Sequence, residues 1–203
     1  MIANVMAGAL LLAVVIAAGA ALSALNVDVT PQDVDRALTI ARSMDRDRAR
    51  FHAPYIKTLS APEVETVEVI SEFRRYVLTA EDRGRKGDRM FGYSVTLAQQ
   101  ALGPWKNRLA IVARLRFHPQ NNYVTAPPAE IGLDGYEQAR VGVLNEPVMA
   151  FPSGQPGERI AVLGAVVESV WEAIPLGQGV REFVIRLHGR ELARVSFDLS
   201  QLE

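Results

Sequence analysis

The sequence predicts an α+β protein, in which an N-terminal signal or anchor helix and several short helices precede and pack on a C-terminal antiparallel β-sandwich. Three observations lead to this fold class. Residues 1–25 contain no charged side chain. Residues 26–106 carry helix caps followed by apolar side chains at helical spacing. Residues 107–203 change to short alternating runs separated by turn-forming residues, which is typical of an antiparallel sandwich or open barrel.

The leader, residues 1–25, fits two kinds of segment. An apolar run of about 20 residues is long enough to span a bilayer as a helix. A shorter apolar core followed by small residues instead marks a secretory signal, and residues 19–21 and 21–23 both offer the small-x-small pattern of a cleavage site. The sequence therefore leaves open a cleaved signal peptide or an uncleaved membrane anchor.

The residues after the leader indicate which side of the membrane the rest of the chain occupies. Asp28, Asp33 and Asp35 come before any basic residue. Because positive charge tends to stay on the cytoplasmic side, this acidic flank is compatible with translocation of the remainder. We expect a periplasmic, secreted or membrane-anchored protein that faces outside the cytoplasm, and whose N-terminal segment contacts the membrane transiently or permanently.

Composition excludes several classes of function. The net charge of −1 gives no electrostatic reason to expect a nucleic-acid partner. The absence of cysteine excludes disulfides, thiolate catalysis, cysteine-bound zinc, iron–sulfur clusters and lipoprotein processing. No motif indicates a cofactor, and none is expected.

Thr30 and Pro31 predict the start of the first helix, since threonine caps helices and proline fits the first turn. The apolar face that follows comprises Val34, Leu38, Ala41 and Met44. Residues 42–50 are crowded with opposite charges, which predicts a solvated surface with local ion pairs. Pro54 bounds this segment, because the residue before a proline resists the helical conformation.

Residues 64–71 fit either a strand or a helix. Their β-branched side chains are as dense as in a strand. A helical stripe is also present and comprises Val67, Ile70, Phe73, Val77 and Ala80. We predict a strand that ends near Ile70 and a helix that is capped by Ser71 and runs to Gly84.

Residues 84–89 contain two glycines and a lysine, but their spacing differs from that of a phosphate-binding loop, and Asp88 follows the second glycine. They predict a helix end instead. Ser94 then predicts the cap of another short helix, which ends at Gly103 and Pro104.

The strands are predicted mainly from residue 107 onward. Residues 109–117 alternate cleanly and predict a strand with one buried face, and the longer apolar run 160–174 predicts a central strand. Pro147 and the pair Asp134-Gly135 divide the region between them. The short strand candidates there are 123–125, 131–133, 139–144 and 148–151.

The end of the chain predicts a β-hairpin with its turn near Gly189. A two-residue loop would place Phe183 opposite Arg194 and so put charge on the core face. Because a slip of one residue turns every side chain to the other face, a longer loop, residues 188–190, is favoured. That register pairs Leu187 with Glu191, Ile185 with Ala193 and Phe183 with Val195.

No catalytic or metal site is predicted. The three histidines, His52, His118 and His188, are too far apart in sequence for a local metal motif, and no serine lies in a G-x-S-x-G turn. Carboxylates such as Glu168 lie on the outer face of a predicted strand, where they would serve solubility.

One loop is a candidate binding site. Asn121, Asn122 and Tyr123 place hydrogen-bonding groups and an aromatic ring at a strand end, where sandwiches commonly carry binding sites. The alternative interpretation, which we favour, is a polar turn whose amides cap main-chain groups.

The sequence therefore favours a non-catalytic binding or structural module at the cell envelope, with a possible protein partner there. One alternative is an exported hydrolase with a dispersed active site, which would require a polar pocket that joins His118 to a serine or a carboxylate. Another is an accessory subunit of a membrane complex, which would require a retained leader and would be favoured by an exposed apolar groove.

Overall fold

A computed structural model describes residues 28–135, 139–151 and 160–203. The predicted leader, residues 1–25, lies outside these ranges. The described protein is α+β, with five helices and two antiparallel sheets of five and three strands. No helix in these ranges is both long enough and apolar enough to cross a membrane.

The five helices are α1 (Pro31–Ala41), α2 (Asp45–His52), α3 (Glu72–Arg85), α4 (Val95–Leu102) and the single turn α5 (Ala173–Leu176). Three of them, α1, α3 and α4, begin where the sequence predicts caps. At α1 the Thr30 hydroxyl accepts a hydrogen bond from the Asp33 N–H at 3.2 Å, and the Asp33 carboxylate accepts one from the Thr30 N–H at 3.0 Å. Ser71 and Ser94 cap α3 and α4, which confirms both predictions.

The prediction for Met44 is wrong. Helix α1 ends at Ala41, so Met44 does not lie on its apolar face but is the exposed residue from which α2 begins. The charged surface that follows is confirmed, since Arg48 pairs with Asp45 one turn away and lies 3.5 Å from the Glu81 carboxylate.

Eight strands form two sheets. The five-stranded sheet has the order β1 (Ile56–Thr58), β2 (Val64–Ile70), β3 (Arg108–Arg116), β6 (Ala161–Glu172) and β5 (Gly142–Ala150). The three-stranded sheet has the order β4 (Ala129–Leu133), β7 (Val180–Leu187) and β8 (Arg190–Asp198). The strand-to-helix boundary at Ser71 is confirmed, and β1 and β2 from the mainly helical region extend the sheet of the C-terminal half.

Two apolar cores hold the fold together. The larger lies between the two sheets and includes Trp171 and Phe183, whose ring centroids are 5.8 Å apart. The smaller lies among α1, α3 and α4 and includes Phe73. Phe51 packs against both, since its ring lies 5.3 Å from Tyr55 in the first core and 5.9 Å from Phe73 in the second.

The terminal hairpin keeps the predicted core pairing but has a shorter loop. Ile185 pairs with Ala193 and Phe183 with Val195, as expected. The loop is not 188–190 but the pair His188 and Gly189, both with positive φ, so Leu187 faces Arg190 rather than Glu191. Leu192 forms a β-bulge that absorbs the extra residue, and a tight turn is thereby compatible with a buried apolar face.

Two strand predictions between the long strands are wrong. Residues 139–144 and 148–151 are not separate strands, because β5 runs through Pro147. Residues 123–125 form no strand. The central strand predicted over residues 160–174 is confirmed as β6, which spans Ala161–Glu172 and lies between β3 and β5, whereas Ala173 and Ile174 belong to α5.

Candidate interaction surface

Strand β5 is apolar but exposed. Val143 is 56% exposed and Met149 is 51% exposed, and Leu144, Val148 and the following Phe151 are exposed as well. The neighbouring strand β6 is also apolar, but its Val167 is 0% exposed. Because water disfavours contiguous apolar surface, an exposed apolar strand of this kind marks a candidate interaction surface.

The exposure of β5 follows from the sizes of the two sheets. β5 is one edge of the five-stranded sheet, whereas β4, the nearby edge of the three-stranded sheet, packs mainly against β6. The facing sheet therefore ends before it covers β5. The space beside β5 is an open groove of about 600 Å³, and its lining includes Val143, Arg140, Ala129 and His188.

Two side chains reach across this groove toward the smaller sheet. Asn145 Nδ2 donates to the main-chain oxygen of Pro127 at 2.8 Å. Arg140 Nη1 donates to the main-chain oxygen of Ile131 at 3.5 Å. The segment before β4 thus approaches the edge of β5 at Asn145.

Among the described residues, no strand pairs with the outer edge of β5, which is formed by the main-chain groups of Val143, Asn145 and Pro147. In an antiparallel ladder, alternate residues direct both N–H and C=O to opposite neighbours. The Phe117 N–H donates to the Leu163 oxygen at 2.8 Å. The main-chain N–H and C=O groups of the odd-numbered residues of β6 therefore point to β3, and those of the even-numbered residues point to β5. From Gly142 to Val148, the main-chain groups of the even-numbered residues of β5 therefore bond to β6, and those of the odd-numbered residues point outward; the register shifts after Val148.

This alternation explains why a proline lies in the middle of β5. Proline has no N–H, so within a sheet it is tolerated where the main chain faces away from any neighbour. Pro147 occupies one of the outward-facing positions, so no ladder hydrogen bond is lost there.

The charges near this edge are sparse. Glu146 is exposed and has no ion pair among the described residues. Arg140, just before the strand, lies 3.4 Å from the Glu130 carboxylate, and both side chains are partly exposed. Exposed pairs of this kind contribute at most about 1 kcal/mol, so Arg140 is available to another carboxylate.

The predicted binding loop follows β3, and Asn121 uses its side chain within the protein. Its Nδ2 donates to the main-chain oxygens of His118 at 2.6 Å and Val162 at 2.9 Å. Its Oδ1 accepts from the Tyr123 N–H at 2.8 Å. These contacts are those of a polar turn, the alternative interpretation of this loop.

The other two residues of that loop differ in their surroundings. The Tyr123 ring lies 5.2 Å from the Phe117 ring and 6.3 Å from the His188 ring, whereas Asn122 is exposed. Binding by Asn121, Asn122 and Tyr123 stays a prediction.

Sequence reasoning missed a buried polar cluster centred on Arg74, which is 1% exposed. Its guanidinium donates to the Val69 oxygen, to Glu68 at 2.8 Å and, through Nε, to His52 Nδ1 at 3.3 Å. Burial lowers the pKa of Arg74, and the Glu68 carboxylate opposes that shift. No sequence signal could identify the cluster, because its members come from α2, β2 and α3.

His52 has both ring nitrogens occupied in this cluster. Nδ1 receives the Arg74 donor, and Nε2 bonds to the Glu81 carboxylate at 3.1 Å. A general base needs a ring nitrogen that can reach substrate. The arrangement instead joins α2 to α3 and β2.

A cleft of about 430 Å³ lies near α1 and α3 and is lined in part by arginines. Arg42 donates to the Gly92 oxygen and stacks on the Tyr93 ring, with its Cζ 4.3 Å from the ring centroid. Arg48 bonds to Asp45 and the Ser43 oxygen. Both guanidiniums already have partners within the chain, and the Glu81 and Asp88 carboxylates line the same cleft, which disfavours an anion there.

The residues that a hydrolase would need lie apart. His118 is exposed, and its Nδ1 accepts from the Gln120 N–H at 3.2 Å. In the described part of the chain, no contact joins His118 to a serine or a carboxylate. The prediction that Glu168 serves solubility is wrong, since its side chain is largely buried and lies 3.2 Å from the Arg75 guanidinium.

Comparisons with known proteins give no match. No protein-family model matches the chain. A search of curated proteins and a search of solved structures each find no similar protein. Within the described residues, no group of three or more histidine, aspartate or glutamate side chains could hold a metal ion.

Proposed function

We propose that the chain is a cell-envelope protein whose β-domain lies outside the cytoplasm and binds a protein partner without catalysing a reaction. The observation that carries this proposal is β5, an edge strand whose apolar side chains are exposed along its length. An open edge with unpaired N–H and C=O groups is a template for a strand from another chain.

The opposite edge of the same sheet supports this interpretation by contrast. Edge strands are normally protected by shortness, by lysine or by a covering segment. β1 has three residues, and its Lys57 donates to the Ser196 oxygen of β8. β5 has nine residues, and its apolar character is interrupted at Asn145, Glu146 and Pro147.

The predicted location rests on the leader, and the fold is compatible with it. Asp28, the first described residue, acts electrostatically on Glu72, whose carboxylate accepts from the Asn107 N–H at 2.7 Å. The first described residue therefore lies near the start of β3.

The exposed apolar strand also favours the accessory-subunit version of this function, in which the leader is retained. The mass and N-terminal sequence of the protein from soluble and membrane fractions distinguish the two versions. An N-terminus near residue 22 or 24 in the soluble fraction means a free module, and an intact Met1 in the membrane fraction means a tethered one.

The proposed binding is tested by photo-crosslinking in cells that express the full chain. A photoreactive amino acid replaces Val143 in one variant and Val180 in the control, since Val180 is an exposed valine of β7 that lies away from β5. We expect a discrete protein adduct from position 143 and none from position 180. The proposal is overturned by equal labelling of both positions, or by no adduct at either.

A further inference from the structure

We infer that the exposed face of α4 lies on the surface of a lipid bilayer that also holds the retained apolar leader, residues 1–25. This face is separate from β5, so the inference goes beyond the proposed protein partner. The occupant is a bilayer with anionic headgroups, because an uncharged face is bordered by basic side chains and lies beside the end of the leader.

The segment that contains α4 carries no charge. Residues 90–105 are the longest uncharged stretch of the chain after the leader. Arg89 comes directly before this stretch and Lys106 directly after it, and both are exposed. A helix that lies in a membrane interface presents an apolar face with basic side chains at its border, whereas a helix that faces water carries charges on its outer side.

One side of α4 is buried and the opposite side is exposed. Ala98 and Leu102 pack in the smaller core. The exposed side is a stripe with helical spacing that begins just before α4 and ends just after it, and its members are Tyr93, Leu97, Ala101 and Pro104. Leu97 is 47% exposed and Tyr93 is 71% exposed. The stripe is thus largely apolar and faces away from the core.

An aromatic ring lies at each end of this stripe. Tyr93 precedes α4, and Arg42 lies over its ring with Cζ 4.3 Å from the centroid. Trp105 follows α4, and Arg75 lies over its ring at 3.5 Å. Tyrosine and tryptophan are enriched where a bilayer meets water, because their rings are apolar and their polar atoms reach the headgroups.

The leader ends close to the carboxyl end of this segment. Asp28 and Lys106 both act electrostatically on Glu72. The Glu72 carboxylate also accepts a hydrogen bond from the Asn107 N–H at 2.7 Å. Because only two residues separate Asp28 from the leader, a bilayer that holds residues 1–25 lies beside Lys106, where the exposed face of α4 can meet it.

The charge at the border of the face favours anionic lipid. Residues 83–89 contain four basic residues and one acidic residue, Asp88. Asp88 is paired with Arg83 at 3.2 Å, whereas Arg89 forms no ion pair among the described residues. Each basic side chain near an anionic bilayer strengthens binding about fivefold.

The chain has no cysteine, so a single introduced cysteine carries a fluorescent label to one position. Leu97→Cys places the label on the stripe. Met149→Cys is the matched control, since Met149 is similarly exposed and pairs with Val162 near the start of β6, whereas Arg108, close to α4, pairs with Glu172 at its end. Each full-length variant is placed in vesicles of phosphatidylcholine and phosphatidylglycerol that contain a nitroxide-labelled lipid.

We expect the lipid nitroxide to reduce the fluorescence of the label at position 97 and to leave that at position 149 unchanged. Equal quenching at both positions, or none at position 97, would overturn the inference. A label at position 97 that is shielded from water in cell membranes but not quenched by lipid would show that a protein covers this face, and would overturn it as well.

A neutral substitution at the border tests the part played by anionic lipid. In the labelled Leu97→Cys chain, Arg89→Gln should lower the ratio of quenched to unquenched label about fivefold. Arg116→Gln is the matched control, since Arg116 is an exposed arginine at the far end of β3 and its loss should leave the ratio unchanged. Equal effects of the two substitutions would contradict an anionic bilayer as the occupant.

Failure of this inference is distinguishable from failure of the proposed function. A protein adduct at position 143 without quenching at position 97 leaves the proposed function standing and overturns the bilayer contact. Quenching at position 97 without an adduct at position 143 does the reverse. An N-terminus near residue 22 or 24 in all of the protein would show that the leader is removed, and would overturn the inference.

Discussion

Strands β5 and β6 are neighbours in one sheet and are both rich in apolar residues, yet one is exposed and the other is buried. Val167 of β6 is fully buried, whereas Val143 of β5 is mostly exposed. The difference lies in what faces them, because the three-stranded sheet packs on β6 and ends before β5. Apolar composition alone therefore does not determine burial, and an uncovered apolar strand at an edge is available to another chain.

The largest expected effect is at the aromatic centre of the covered region. Trp171 of β6 packs on Phe183 in the larger core. We expect Trp171→Ala to lower the free energy of unfolding by about 3–5 kcal/mol, because it removes buried area and leaves a cavity. Chemical denaturation of the variant measures this loss.

Phe151→Ala is the matched control for that loss, since Phe151 follows β5 and is exposed. Its expected effect on the free energy of unfolding is within about 0.5 kcal/mol. Similar losses for Trp171→Ala and Phe151→Ala would break the comparison between the covered and uncovered strands.

A close approach between β3 and β6 gives the next largest effect. A methyl group on Gly164 would overlap the main-chain oxygen of Leu115, which cannot move without disturbing the ladder. We expect Gly164→Ala to cost about 1–3 kcal/mol of unfolding free energy.

Gly142 in β5 provides the control for Gly164. A methyl group there would meet the Val170 side chain at 3.5 Å, an ordinary contact. Gly142→Ala should therefore change the unfolding free energy by less than about 1 kcal/mol, in either direction. If both alanine variants cost the same, then β3 and β6 are not as tightly paired as the structure indicates.

Tyr55 lies just before β1, the opposite edge strand of the five-stranded sheet, and bonds there to the main chain of Glu203. Its hydroxyl donates to the Glu203 main-chain oxygen at 3.2 Å and accepts from the Glu203 N–H at 2.9 Å. Burial raises the pKa of Tyr55 from 10.0 to about 12. Because the folded pKa lies above the unfolded one, its stabilising contribution is complete below pH 10 and falls as the pH rises toward 12.

We expect Tyr55→Phe to cost about 1 kcal/mol of unfolding free energy at neutral pH. The difference between the parent and the variant should shrink between pH 10 and about pH 12, because the parent loses stability there and the variant has no hydroxyl to ionise. A difference that stays constant over this range would contradict the buried, hydrogen-bonded environment of Tyr55.

The smallest expected effect on stability is at the centre of β5. Val143→Lys replaces an exposed side chain, so the unfolding free energy measured at low protein concentration should change by less than about 0.5 kcal/mol. A large loss of stability in the monomer would show that Val143 is covered within the chain.

Local signals predicted much of the fold. Ser71 marked the change from β2 to α3 because a helix cap is a property of a few adjacent residues. The buried face of the terminal hairpin was predicted from alternation, but its bulge at Leu192 was not, since a bulge compensates for turn geometry rather than for sequence pattern.

The candidate site was not predicted, and the reason is physical. Pro147 was taken as a break between two strands, because sequence does not tell whether the N–H of a position faces a neighbour or an open edge. The exposure of Val143 depends on how many strands lie in the facing sheet, which is a property of topology. The proline within an apolar run was nevertheless the one available signal for an edge strand.

Amide hydrogen exchange along β5, measured residue by residue, tests the central claim most directly. The N–H groups of Leu144 and Glu146 should exchange slowly, because they bond to β6. Those of Val143 and Asn145 should exchange fast in the isolated chain, because they face the open edge of the sheet. Exchange at Val143 and Asn145 as slow as at Leu144 and Glu146 would contradict the account.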